Sequence, residues 1–120
     1  MTTLARIAEV KEAIAKAEGF GVEGAIPTLA HNPGDLCLGD RGLGVIGEGI
    51  TVFPDDQTGW DELNGEVVLM LSGTSHIYSP QLTLAQVGMR YAGGNPDWAK
   101  NVAAALGVDE ATTLAELAKG

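Results

Sequence analysis

Residues 13–20 read Ala13-Ile14-Ala15-Lys16-Ala17-Glu18-Gly19-Phe20, and they close a helix that the sequence predicts over residues 3–18. At helical spacing Ile14, Ile7, Glu18, Lys11 and Leu4 fall within about 80° of one another. Val10 and Ala17 flank one side of this stripe, Ala15 and Ala8 the other. Gly19 follows where a left-handed residue ends a helix. The stripe is apolar, yet it carries the carboxylate of Glu18 near its middle and in the last turn. Burial opposes the ionised form of such a group, and so does the negative end of the helix dipole. Both raise its pKa, which is what a general acid near neutral pH requires. A solvated glutamate at a fraying helix end is the other reading of this spacing. Lys11 lies about 10 Å back along the axis on the same face and fits a less buried stripe.

Beyond this helix the texture changes. Gly34, Gly39, Gly42, Gly44, Gly47 and Gly49 interrupt short apolar pieces over residues 19–54. Asn32-Pro33-Gly34-Asp35 is a turn signal. Val45-Ile46 and Ile50–Phe53 read as strands separated by Gly47-Glu48-Gly49, so a small hairpin or three-stranded sheet is expected, ended by Pro54. Residues 55–118 return to helical spacing. Asp55 or Asp56 caps a helix bearing Trp60, Leu63, Val67 and Leu71. Thr83-x-x-Gln86 is a capping box before Leu84, Val87 and Tyr91, and Thr113-x-x-Glu116 opens a last short helix. Asn95-Pro96 starts another helix, with Ala99, Val102 and Leu106 on one face and Gly107 as its stop. No internal repeat is expected. The order helix, small β-region, several helices predicts an α+β fold, mainly helical, with a hairpin beside the first helix.

The chain has 120 residues with 7 Lys+Arg against 16 Asp+Glu, a formal charge of −9. That length suits a single domain over residues 1–120. The acidity argues against nucleic acid and against an anionic membrane surface as partners. No apolar run approaches the ~20 residues of a membrane span. The charged N-terminal stretch predicts synthesis in the cytoplasm without a signal peptide, and the chain is expected to be monomeric. Cys37, the one cysteine, excludes an intramolecular disulfide framework and a cysteine zinc site, and is expected to be buried and inert. His31 and His76 lack metal-ligand spacing. The glycines of 39–49 lack the lysine and the strand–helix context of a phosphate loop. No metal or cofactor is expected.

Several motifs in order resemble the lysozyme-like superfamily, in particular a group of phage and prophage proteins that carry a Glu-Gly-Phe helix end. The matching runs are Glu18-Gly19-Phe20, His31-Asn32-Pro33-Gly34-Asp35-Leu36, Gly49-Ile50-Thr51-Val52-Phe53-Pro54 and Thr58-Gly59-Trp60. Tyr91-Ala92 and Leu106-Gly107-Val108 look like the family's later segment. The resemblance spans roughly residues 11–117. His31 stands where the group usually has asparagine, and residues 38–49 are shorter than the family's path from turn to strand.

The resemblance implies cleavage of the β-1,4 glycan strand of peptidoglycan, as a muramidase or a lytic transglycosylase, with Glu18 donating a proton to the glycosidic oxygen. A hydrolase needs a second carboxylate, for which Asp35 and Asp40 are the candidates. A transglycosylase uses one glutamate as acid and then base. Both have a plainer reading, Asp35 as a turn residue and Asp40 as a surface ion pair with Arg41, and Glu48 is expected as a solvated hairpin tip. Phe20, Asn32 and Tyr91 are expected at the substrate. Asn32 would bond an N-acetyl group, or else satisfy its own turn. Tyr91 would bond the acid or a sugar, or else belong to the core. Trp60 is expected in the core, with Trp98 open between core and sugar stacking, and His31 is expected at the surface or lining the cleft. Such an enzyme would act at the cell wall after release, or travel in a virion. The alternative is a non-catalytic glycan-binding or virion structural protein on the same scaffold.

Overall fold

The computed structural model describes residues 3–91 and 95–119, the side chain of Asp40 excepted. The first helix, α1 (Leu4–Glu18), begins where the Thr3 hydroxyl accepts from the Arg6 N–H at 3.1 Å and ends at Gly19 in the left-handed conformation. Its buried face holds Val10, Ala13, Ile14 and Ala15. That face is turned toward Val10 and away from the centre the spacing suggested, so Leu4 is 86% exposed and Glu18 lies at the stripe's edge, half-buried.

Among the described residues the chain forms six helices and one two-stranded antiparallel sheet, an α+β architecture that is mostly helical. Strands β1 (Gly44–Ile46) and β2 (Ile50–Val52) pair Gly44 with Val52, Val45 with Thr51 and Ile46 with Ile50. This is the hairpin the glycine-punctuated segment predicts, without a third strand among the described residues. A short helix, α2 (Ile26–Leu29), precedes it with Pro27 in the first turn, where the sequence reading had only strands and loops. Its brevity hides it: four residues give no periodicity, although proline at the start of a helix loses no hydrogen bond.

The longest helix, α3 (Asp56–Ser72), is capped by Asp55, whose carboxylate accepts from the Thr58 N–H at 2.8 Å. Gly59 on α3 faces the backbone of the 31–33 turn so closely that a Cβ there would lie 2.0 Å from the His31 carbonyl oxygen. Helix α3 and the turn thus meet backbone to backbone, which only glycine permits. Helix α5 (Pro96–Leu106) takes its cap from Asn95, which accepts from the Asp97 N–H at 3.0 Å, and stops at Gly107.

Helices α4 (Leu84–Tyr91) and α6 (Leu114–Lys119) begin with two capping boxes that read almost identically, Thr83-Leu84-Ala85-Gln86 and Thr113-Leu114-Ala115-Glu116. In each, the threonine hydroxyl accepts from the N–H three residues on, and the Gln86 or Glu116 side chain accepts from the threonine N–H. The two starts also satisfy each other. Leu84 N donates to Thr112 O and Leu114 N to Leu82 O, both at 3.0 Å, while Ala85 N reaches Glu110 O and Ala115 N reaches Pro80 O. Four N–H groups that a helix start normally leaves to solvent are therefore shared between two helices in an approximately two-fold arrangement.

One apolar core joins these elements: Val10 and Ile14 from α1, Leu63, Val67 and Met70 from α3, Leu84 and Val87 from α4, Trp98 and Val102 from α5, and Leu114 and Leu117 from α6. Trp98, 3% exposed, is a core residue, whereas Trp60, expected there, is only partly buried against the core's edge.

Candidate active site

The end of α1 faces the turn at residues 31–36, and a buried asparagine builds that turn. Asn32 is fully enclosed. Its Nδ2 donates to the carbonyls of Leu36 at 2.9 Å and Thr51 at 2.8 Å, and its Oδ1 accepts from the Leu36 N–H at 2.9 Å. The backbone adds Asn32 N to Pro27 O and Asp35 N to Asn32 O. One side chain thus ties the turn to itself and to β2. With its amide used and no surface exposed, Asn32 cannot contact a ligand. The expected substrate role is corrected: it shapes the turn.

That turn holds Asp35 at φ 53, in the left-handed region that aspartate tolerates better than most residues. From the far side the Tyr91 hydroxyl donates to the Gly34 carbonyl at 2.6 Å. Tyr91 stacks on Trp98 at 5.0 Å between ring centres and leans on Tyr78 at 6.4 Å. Its phenol is pushed well above its ordinary pKa, by burial first and then by the charge of Glu18. It donates its proton to Gly34, so it supports the turn beneath Asp35. Ala92, its partner in the Tyr-Ala motif, lies outside the described residues.

Glu18 and Asp35 meet at the wall of an open cavity of about 460 Å³. Their carboxyl groups come within hydrogen-bonding reach of each other. Burial, then the charge of Asp35, then the bond to Asp35 push Glu18 up to about 8. The indole N–H of Trp98 acts in the opposite sense, favouring the carboxylate of Glu18, although Trp98 Nε1 is buried and closes no hydrogen bond. Asp35 is also raised by burial, while the bond from Glu18 favours its ionised form. Asp35 Oδ1 is buried with no other donor, and a proton held on Glu18 supplies one. The two carboxyls titrate as a coupled pair, and burial together with the neighbouring charge favours the protonated form of Glu18.

The remaining candidates divide sharply. Phe20 is not in this cavity's wall. It packs edge-on against Trp60 at 5.4 Å, and Lys11 sits 5.9 Å from the Trp60 ring centre, with its ammonium bonded to Asn64 at 3.1 Å. Phe20, expected at the substrate, stands outside this cavity's lining and is only partly buried. Glu48 is exposed in the turn between the strands and lines the cavity's rim. Cys37 was expected to be buried. It is exposed beside the pair, where burial of the sulfur, Asp35 and Glu18 together push the thiol up. His31 bonds Asp56 at 2.7 Å on the surface. The Asp40 side chain lies outside the described residues.

Arg90, Asn95, Trp98 and Ile50 also line the cavity, and spacing had singled out none of the four for it, Trp98 having been left open. Arg90 immediately precedes Tyr91, and Asn95 and Trp98 sit at the start of α5, so proximity to motif residues was the available signal. No family model matches the chain, nor does any curated protein or solved structure.

Proposed function

We propose that this protein cleaves the β-1,4 glycan strand of bacterial peptidoglycan, with Glu18 as the general acid. The feature that carries this reading is the Glu18–Asp35 pair at an open cavity, where burial and the charge of Asp35 push Glu18 up to about 8. A carboxylic acid protonated at working pH can donate to a glycosidic oxygen as the bond to the sugar's anomeric carbon breaks. The lysozyme-like motifs at Glu18-Gly19-Phe20 and residues 31–36 meet at this place, which supports a wall glycan as the substrate.

The contact between the two carboxyls bears on the chemistry. Paired carboxylates of glycoside hydrolases stand about 5–9.5 Å apart, on opposite sides of the sugar. Asp35 within hydrogen-bonding reach of Glu18 leaves no room for a sugar between them. Its role here is to keep the proton on Glu18. This favours a transglycosylase-type reaction: Glu18 protonates the leaving oxygen, then accepts the proton of a substrate hydroxyl that closes an anhydro ring. The alternative, a scaffold that binds glycan without cutting it, leaves the charge-sharing pair without a task.

Digestion of purified cell walls followed by mass spectrometry tests the reading. Anhydro ends are expected and should vanish with Glu18→Gln. Reducing ends would show hydrolysis instead. Binding without new ends of either kind would establish the non-catalytic alternative.

A further inference from the structure

Two cavities adjoin at the site. The first, of about 460 Å³, holds Glu18. The second, of about 330 Å³, extends past Glu66 and Tyr78, and Asp35, Cys37, Arg90 and Tyr91 line both. Any chain lying along this groove passes Arg90 at the junction. The groove is otherwise acidic: its Asp and Glu side chains are Glu18, Asp35, Glu48 and Glu66.

Arg90 is exposed and, among the described residues, closes no ion pair and no side-chain hydrogen bond. Arg41, by contrast, is closed on Glu62 at 2.8 and 2.9 Å. The charge of Arg90 is felt at Tyr78, which places it toward the second cavity. On a chain of net charge −9, Arg90 is the one cationic side chain among the described residues lining these two cavities, and so the one fitted to an anion. Its planar fork matches a carboxylate in two parallel hydrogen bonds.

We infer that Arg90 is a specificity residue that takes a carboxylate borne by the substrate beside the Glu18–Asp35 pair, so that the groove selects acid-bearing glycans and holds them in one register. This rests on the glycan-cleaving reading above. In a wall glycan the carboxylate comes from a lactyl ether on the sugar or from an acidic residue of an attached peptide stem.

Binding separates this inference from the chemistry. In the Glu18→Gln background, calorimetry compares the neutral N-acetylglucosamine tetramer, the wall tetrasaccharide with free lactyl carboxylates, and the same tetrasaccharide bearing peptide stems. The acid-bearing ligands are expected to bind about tenfold tighter than the neutral one, as a charged bidentate pair implies. Adding Arg90→Gln should collapse that ratio toward one, and Arg90→Lys should restore part of it. Preference for the lactyl form or only for the stem-bearing form identifies the source, and either supports the inference. Equal binding of neutral and acid-bearing tetramers, or a ratio untouched by Arg90→Gln, overturns it. Acid-selective binding that depends on Arg90, with no cleavage of walls by the parent protein, overturns the enzymatic reading and leaves the inference standing. Binding of none of the three ligands overturns both.

Discussion

The Tyr91 hydroxyl donates to the Gly34 carbonyl at 2.6 Å, and through this bond the end of α4 holds the residue next to Asp35. Tyr91→Phe removes the donor and leaves a buried carbonyl unpaired. A loss of about 1–2 kcal/mol is expected in denaturant unfolding. A larger effect is expected on the pH profile of cleavage, because the Asp35 turn loses its support. Unchanged stability together with an unchanged profile would show that the bond is idle.

Glu18→Gln is expected to abolish cleavage, and it also has a thermodynamic signature. Between its unfolded value of 4.5 and its folded value of about 8, the native protein holds a proton that the unfolded chain has released. Native-state stability conferred by that proton therefore falls as pH rises through this window and levels off above it. Glutamine does not titrate. The variant should gain about 1–3 kcal/mol on the parent between pH 5 and pH 9, after discounting for partial exposure. Thermal unfolding across that range measures it, and parallel curves for the two proteins would refute a protonated Glu18.

Asp35→Asn keeps the left-handed turn accessible, since asparagine tolerates that conformation, while removing a negative charge beside Glu18. If Glu18 is the acid, the alkaline limb of the activity profile is expected near pH 8 in the parent. It should move to lower pH in the variant. Burial, the largest influence on Glu18, persists, so the limb should stay above the ordinary glutamate range. A limb that stayed in place would mean that the charge of Asp35 does not raise Glu18.

Cys37 reports on the same charges from the cavity wall. Its thiol is raised by burial, then by Asp35 and Glu18. Ellman's reagent should react slowly with the parent at pH 7.5 and faster with Asp35→Asn, whose thiol ionises more readily. Equal rates in the two proteins would count against the electrostatic picture.

Asn32→Ala deletes three hydrogen bonds, two within the turn and one to Thr51 on β2. A loss of about 3 kcal/mol is expected, with buried backbone groups left unpaired. Gly59→Ala should be comparably damaging for a steric reason, because its Cβ would overlap the His31 carbonyl. Urea midpoints of the two variants, compared with an exposed control such as Ala104→Ser, test both.

What could be read from the sequence was what is local. The caps at Asp55, Thr83, Asn95 and Thr113 are each a side chain meeting a backbone group two or three residues away, and all four formed. Glu18 stood out because a helical period places a carboxylate among apolar residues. What escaped depends on contacts far apart in the chain. Asn32 became a builder of the fold because it bonds to Thr51, and Phe20 packs on Trp60 outside the cavity's lining. Cys37 is exposed because the turn that Asn32 builds directs the chain past the cavity. Arg90 was invisible because neither its spacing nor its type marks it until α4 is placed against the groove.

The shared start of α4 and α6 reaches further than its position suggests. Helix α4 ends in Arg90 and Tyr91, so whatever fixes its origin also fixes the aim of both side chains. That origin is held by the start of a second helix more than twenty residues downstream, through the backbone bonds between residues 80–85 and 110–115. Helix α6 lies at the opposite end of α4 from the cavity and serves as its rear sight. Substitutions in that six-residue segment would misdirect the groove without altering any residue that lines it.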